Sequence, residues 1–176
     1  MSQIEAVTLG NPQIVVLPAM RFVRCRVISA FPEAEAVRRL ERWLADQTVD
    51  YQPRRFGFDV EVTPAQQQAG LHGFEAWWSL MDGLLPTDGL GTRQFSGGEY
   101  AVFTIDLPFQ QDFLRAPAGW RRLHEWVIQS GCYCTGSHQW LEEWIPRQVG
   151  GRLKLYHPVM RMTFQGEKPV STSAAN

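Results

Sequence analysis

The sequence is poor in the features that most readily assign a chain to a class. It has three cysteines in 176 residues, Cys25, Cys132 and Cys134. An odd set, with no apolar leader after Met1-Ser2-Gln3-Ile4-Glu5, argues against a disulfide framework and for reduced thiols in the cytoplasm. No run approaches the roughly 20 apolar residues of a membrane span. Charge is also missing as a signal: 17 Lys+Arg against 18 Asp+Glu leave a net charge of -1. A phosphate-binding surface needs a basic face, so direct nucleic-acid binding is not expected, although Arg121/Arg122 form a local basic pair. Gly89-Leu90-Gly91 and Gly97-Gly98 do not make a phosphate-cradling fingerprint and read as turns. His72, His124, His138 and His157 lack metalloprotease spacing. Cys132-Tyr133-Cys134 with His138 has the wrong spacing for a common zinc site, and no visible base activates either thiol. No metal and no cofactor are expected.

Tryptophan, by contrast, is plentiful: Trp43, Trp77, Trp78, Trp120, Trp126, Trp140 and Trp144. Singly, each reads as packing. Seven together exceed what a core of this size hides, because Trp is seldom fully buried, so some are expected to line a ligand surface. With 44% hydrophobic residues, the chain can bury a core without a metal or disulfide staple.

Periodicity gives the elements. Met20–Ile28 alternates, with Val23, Cys25 and Val27 on one face and Arg24 and Arg26 on the other, which predicts a half-buried strand. Pro32-Glu33 opens a helix, and Val37, Leu40 and Leu44 keep helical spacing to about Asp46. Phe56–Val62 predicts a strand, 66–70 a polar loop and Leu71–Met81 an aromatic-rich strand. Asp82–Thr92 is turn-rich. Glu99–Asp106 alternates again. Pro117 is read as opening a second helix through Trp120, Leu123 and Val127, stopping at Ser130-Gly131. Gln139–Ile145 and Arg152–Thr163 are the last strands, and 166–176 is read as a disordered tail. The order strand, helix, strand, strand occurs twice, over about 12–85 and 95–162. An α+β domain over 1–165 is therefore expected: a duplicated unit with pseudo-two-fold symmetry, an antiparallel sheet, two helices and a ligand groove at the junction.

One sequence pattern carries chemistry. His72-Gly73-Phe74-Glu75-Ala76-Trp77 and His138-Gln139-Trp140-Leu141-Glu142-Glu143-Trp144 both contain Glu-x-Trp. On a strand, i and i+2 share a face. Glu142 would then lie between Trp140 and Trp144, and Glu75 beside Trp77. A carboxylate against aromatic rings suits an organic cation, through charge pairing and cation–π attraction. The same setting would raise the carboxyl pKa and suit a general acid or base. The blander alternative places both carboxylates in solvent on an open sheet face.

Four passages resemble the GyrI-like effector-binding family, found alone or as the sensing half of AraC- and MerR-type regulators. They are Arg54-Arg55-Phe56-Gly57-Phe58 with Gly73-Phe74-Glu75-Ala76-Trp77; Gly97-Gly98-Glu99-Tyr100-Ala101-Val102; Leu141-Glu142-Glu143-Trp144; and Leu153–Val159 with Tyr156-His157-Pro158-Val159. The resemblance implies that Glu142 contacts ligand. Trp144 stands where a Tyr is usual, keeping an aromatic wall but losing a phenol. Tyr100 and Phe56 complete the candidate ligand-binding set of Glu142, Trp140, Trp144, Glu75 and Trp77. No helix-turn-helix can be placed, and a standalone domain is implied. The expected function is binding of small lipophilic cations. The alternatives are a hydrolase of electrophilic small molecules using Glu142, and a gyrase-modulating or regulator-binding protein module.

Overall fold

The computed structural model describes residues 11–87, 89–107, 112–147 and 151–162. Nine strands and three helices are found among them. In chain order these are β1 (Gln13–Leu17), β2 (Met20–Ser29), α1 (Pro32–Ala45), β3 (Arg55–Asp59), α2 (Pro64–Gln68) and β4 (His72–Ser79). There follow β5 (Gly91–Phe95), β6 (Gly98–Leu107), α3 (Asp112–Gln129), β7 (Tyr133–Thr135), β8 (Leu141–Pro146) and β9 (Gly151–Arg161). The expected α+β architecture is present: a curled antiparallel sheet with α1 and α3 packed on one face.

The sheet order is β1-β6-β9-β8-β3-β4-β2-β5, with β7 added to β9. Read from either edge, it repeats the same plan. In β2-α1-β3-β4 the first and second strands of the unit pair with its last; β6-α3-β8-β9 does the same. The units join through β3 and β8, with Arg55 opposite Trp144 and Gly57 opposite Glu142. The strand leading into each unit pairs with the other unit: β1 runs into β2 but pairs with β6, and β5 runs into β6 but pairs with β2. The two short links touch where they cross. Gly97, at φ +83°, lies so close that a Cβ there would sit 2.6 Å from the Leu17 carbonyl oxygen. A positive φ and a backbone approach both call for glycine.

Alternation sorts the side chains into two layers. On the face turned away from α1 and α3, inside the curl, Phe22, Phe56, Trp77, Phe95, Tyr100, Leu141 and Tyr156 make one buried cluster. On the other face, Val23, Cys25, Ala76 and Trp78 pack beneath Leu40 and Trp43 of α1. Ala101, Phe103, Ile105 and Leu155 pack beneath Leu123 and Val127 of α3. Trp43 is fully buried because its indole N–H donates to the Leu85 carbonyl at 3.2 Å, which satisfies the one polar atom it takes from water.

Three sequence expectations change. The 66–70 loop is in part the helix α2, closed at its N-terminus by a reciprocal cap between Thr63 and Gln66. The turn-rich 82–92 stretch runs into a strand the sequence did not announce, β5, whose GTRQF composition carries little apolar alternation. Pro117 lies inside α3, which begins at Asp112. The 166–176 tail lies outside the described residues.

Candidate functional site

The helices cover the outer strands. α1 lies over β2 and β4, and α3 over β6 and β9, so β3 and β8 form the strip of sheet between them. On the helix-facing side of that strip the side-chain rows are readable from the register. Arg55 is flanked by Trp78 and Trp144. One row on, Gly57 is flanked by Ala76 and Glu142. The hollow at Gly57 is taken by the Phe74 ring, which a Cβ at 57 would overlap.

Glu142 is mostly buried in this strip. The Trp120 indole N–H, reaching across from α3, donates to its Oε1 at 2.7 Å. Trp120 in turn packs on Trp140, with ring centroids 5.3 Å apart. Trp140 lies 3.9 Å from the His157 ring, and His157 Nε2 meets His124 Nδ1 at 3.1 Å. Burial raises the Glu142 carboxyl pKa; the Trp120 hydrogen bond opposes this, while the negative charges of Asp59 and Glu33 add to it. Glu33, in the first turn of α1, is solvent-exposed, yet lost hydration and Asp59 push its carboxyl pKa upward too. Among the described residues, none of Glu33, Asp59 and Glu142 enters an ion pair. Glu142 therefore lies within the electrostatic reach of Asp59 and Glu33, and among the described residues none of the three is bonded to a basic side chain. Burial also lowers the His157 pKa, the carbonyl of Pro158 opposes this, and nearby His124 adds to the lowering, which favours the neutral form of the His157 ring.

The seven residues singled out from sequence separate onto the two faces. Glu142, Trp140 and Trp144 lie on the helix-facing strip. Phe56, Trp77 and Tyr100 belong to the buried cluster inside the curl, and Glu75 is buried on that same side. There Glu75 accepts from the Trp77 indole at 2.7 Å and pairs with Arg24 at 3.3 Å. Tyr100 donates its hydroxyl to the Gln139 carbonyl at 3.0 Å. The two Glu-x-Trp motifs are thus not equivalent: Glu75 stands on β4, the last strand of its unit, and Glu142 on β8, the middle strand of its unit. Trp144 does not fold over Glu142 but lies along Gly151, and the residue is 37% exposed.

Sequence reasoning missed Trp120 and Phe74 at the strip, and Glu143 inside the curl. Glu143 is 4% exposed and accepts two bonds from Arg54, at 2.6 and 3.0 Å, and one from the Tyr156 hydroxyl. Burial works against the Arg54 charge, but Glu143 and then Tyr156 outweigh it and hold its pKa above the ordinary value. Parity alone could have placed Glu143 opposite Glu142; nothing local could have named Arg54 as its partner, 89 residues away. The Cys132–Cys134 segment holds no metal-like group: among the described residues no three His, Cys, Asp or Glu side chains gather as a metal site. No helix among them is long and apolar enough to cross a membrane. A separate open cavity of about 430 Å³, lined by Met20, Arg21, Ser79, Leu80 and Asp82 among others, shares no residue with the strip around Glu142. It gathers no aromatic rings, so the strip remains the better candidate.

A sheet crossed by two helices, with an acid under aromatic cover between them, defines a small-molecule-binding α+β domain. The chain belongs to the GyrI-like small molecule binding domain family, whose profile matches residues 10–146. Comparison with curated protein sequences gives no match. Among solved structures, the chain is similar to the EcmrR C-terminal domain (TM-score 0.62, 13% identity, covering 88% of this chain and 99% of that one). It is also similar to a hydrolase from Listeria innocua (TM-score 0.61, 13% identity, 85% and 92%). A third is SAV2435 bound to tetraphenylphosphonium (TM-score 0.52, 11% identity, 86% and 94%). At such identities the likeness is one of fold.

Proposed function

We propose that this domain binds aromatic organic cations in the strip between α1 and α3, with Glu142 as the counter-charge and Trp120, Trp140 and Phe74 as aromatic walls. The observation that carries the reading is Glu142, mostly buried beneath the Trp120 indole with Trp140 packed on it, and with no basic side chain bonded to it among the described residues. Burying the Glu142 carboxylate within reach of the negative charges of Asp59 and Glu33 is costly, and a ligand with positive charge relieves that cost. Rings beside the acid add dispersion and cation–π attraction without fixing one ligand shape, about 0.5–1 kcal/mol per exposed contact and more when desolvated. The tetraphenylphosphonium bound by SAV2435 is a ligand of this chemistry.

Titration calorimetry with tetraphenylphosphonium tests the reading. Glu142→Gln should weaken binding at least ~10-fold, about 1.4 kcal/mol. Glu75→Gln should leave affinity within about 2-fold, because its carboxylate lies on the opposite face and already pairs with Arg24. Equal losses in both variants would remove Glu142 from the site.

A second reading, hydrolysis of electrophilic small molecules, is favoured by the upward shift of the Glu142 carboxyl through burial, the direction that suits a general acid or base. Turnover that disappears in Glu142→Gln would establish it. The expected cytoplasmic setting and a regulator or gyrase partner add nothing to this chemistry and are tested separately, by fractionation and by pull-down.

A further inference from the structure

The strip carries one basic side chain that the cation-binding reading leaves unexplained. Arg55 projects from β3 on the same face as Glu142, one row away: it pairs with Trp144, and Glu142 pairs with Gly57. Such diagonal neighbours stand roughly 7–8 Å apart at Cα, close enough for an arginine and a glutamate to reach one another. They do not meet. Glu142 turns to the Trp120 indole, and the Arg55 guanidinium lies over the Trp78 ring at 4.5 Å. Among the described residues Arg55 enters no ion pair, and it is only partly exposed. Trp144, its other flanking ring, is drawn aside along Gly151. The strip therefore holds opposite charges side by side, each braced by a tryptophan and neither neutralised by the other.

We propose that the ligand is dipolar: an aromatic cation that also bears an anionic group of the carboxylate class, with its positive end at Glu142 and its negative end at Arg55. For a purely cationic ligand, Arg55 is a repulsive neighbour. For a dipolar ligand, the same guanidinium becomes a second anchor, and its planar fork matches a carboxylate in two bonds. The Trp78 ring beneath the guanidinium restrains it, which lowers the ordering cost of binding. This assignment rests on the proposed site at Glu142 and refines it by naming the ligand's second group.

Rhodamine B and its ethyl ester form a matched pair of probes, the first zwitterionic and the second a simple cation of nearly the same shape. Dye fluorescence anisotropy, with tryptophan quenching as a second signal, is measured for the wild-type chain, Arg55→Met, Arg55→Lys and Glu142→Gln. The wild type should bind rhodamine B at least 5-fold more tightly than the ester. Arg55→Met, which keeps an apolar cover on Trp78, should weaken rhodamine B about 10-fold and leave or improve the ester. Arg55→Lys should recover part of the preference. A wild type that favours the ester, or an Arg55→Met loss equal for both dyes, overturns the dipolar assignment while leaving the cation site standing. An ester affinity unchanged by Glu142→Gln, or binding of neither dye, overturns the cation site and the dipolar assignment with it.

Discussion

Glu142 is a residue whose placement opposes stability. Its folded-state pKa is raised, so the folded chain holds a proton more tightly than the unfolded chain does. The sign follows: the stability linked to this proton is complete below the unfolded-state pKa and is lost as pH rises through the folded-state pKa. At neutral pH the ionised group is therefore a cost, and Glu142→Gln, which keeps an oxygen for the Trp120 indole, should raise the melting temperature while weakening cation binding. A gain of about 1 kcal/mol would appear as about 2–4 °C in a chain of this size. The same shift sets the pH response of binding. As pH is lowered, affinity for a permanently charged phosphonium should begin to fall above the ordinary glutamate range, and the fall should be much smaller in Glu142→Gln, where the raised Glu33 carboxyl remains, as read by calorimetry from about pH 8 to pH 4. Glu143, one residue on, gives the opposite result. Its carboxylate is buried but fully engaged by Arg54 and Tyr156. Arg54→Met strands that charge and should cost about 3–5 kcal/mol by urea unfolding, whereas Tyr156→Phe removes one donor and should cost about 1.5–3 kcal/mol.

Among elements, those with strong local patterning were legible in the sequence. β2 alternates because one face lies under α1 and the other faces the curl, and α1 shows its Pro32 start and Leu40 stripe. Elements defined by partners were not. β5 is GTRQF, a strand only because β2 supplies its ladder. Pro117 misled for a different reason: a proline early in a helix forfeits one hydrogen bond but does not say which turn it occupies. The missed α2 had a readable signal, Thr63 followed by Gln66. The site was half legible. Glu142 and Trp140 came from strand parity and from the family resemblance, but Trp120 needed α3 laid across the sheet, and the parallel drawn between Glu75 and Glu142 failed because the motifs fall on non-equivalent strands with opposite parity. The closeness of β3 to the Phe74 ring gives an element-scale test. Gly57→Ala must displace that ring and should cost about 1–3 kcal/mol, with a matching loss of cation affinity.

At the scale of the whole molecule, the chain is two like-paired units that exchange their leading strands, crossing at Leu17–Ala19 and Gly97. Neither unit completes its own edge. The arrangement is that of a strand-swapped dimer whose two subunits have been joined end to end through residues 80–90. A single peptide-bond cut at Leu84–Leu85 should therefore leave two fragments that co-elute and melt together in size-exclusion and calorimetric runs, where an ordinary two-domain chain would come apart. Each fragment alone should aggregate, since the first strand of its unit would keep its internal neighbour but present its other edge unpaired. For this protein, continuity of the backbone and integrity of the fold are separable properties.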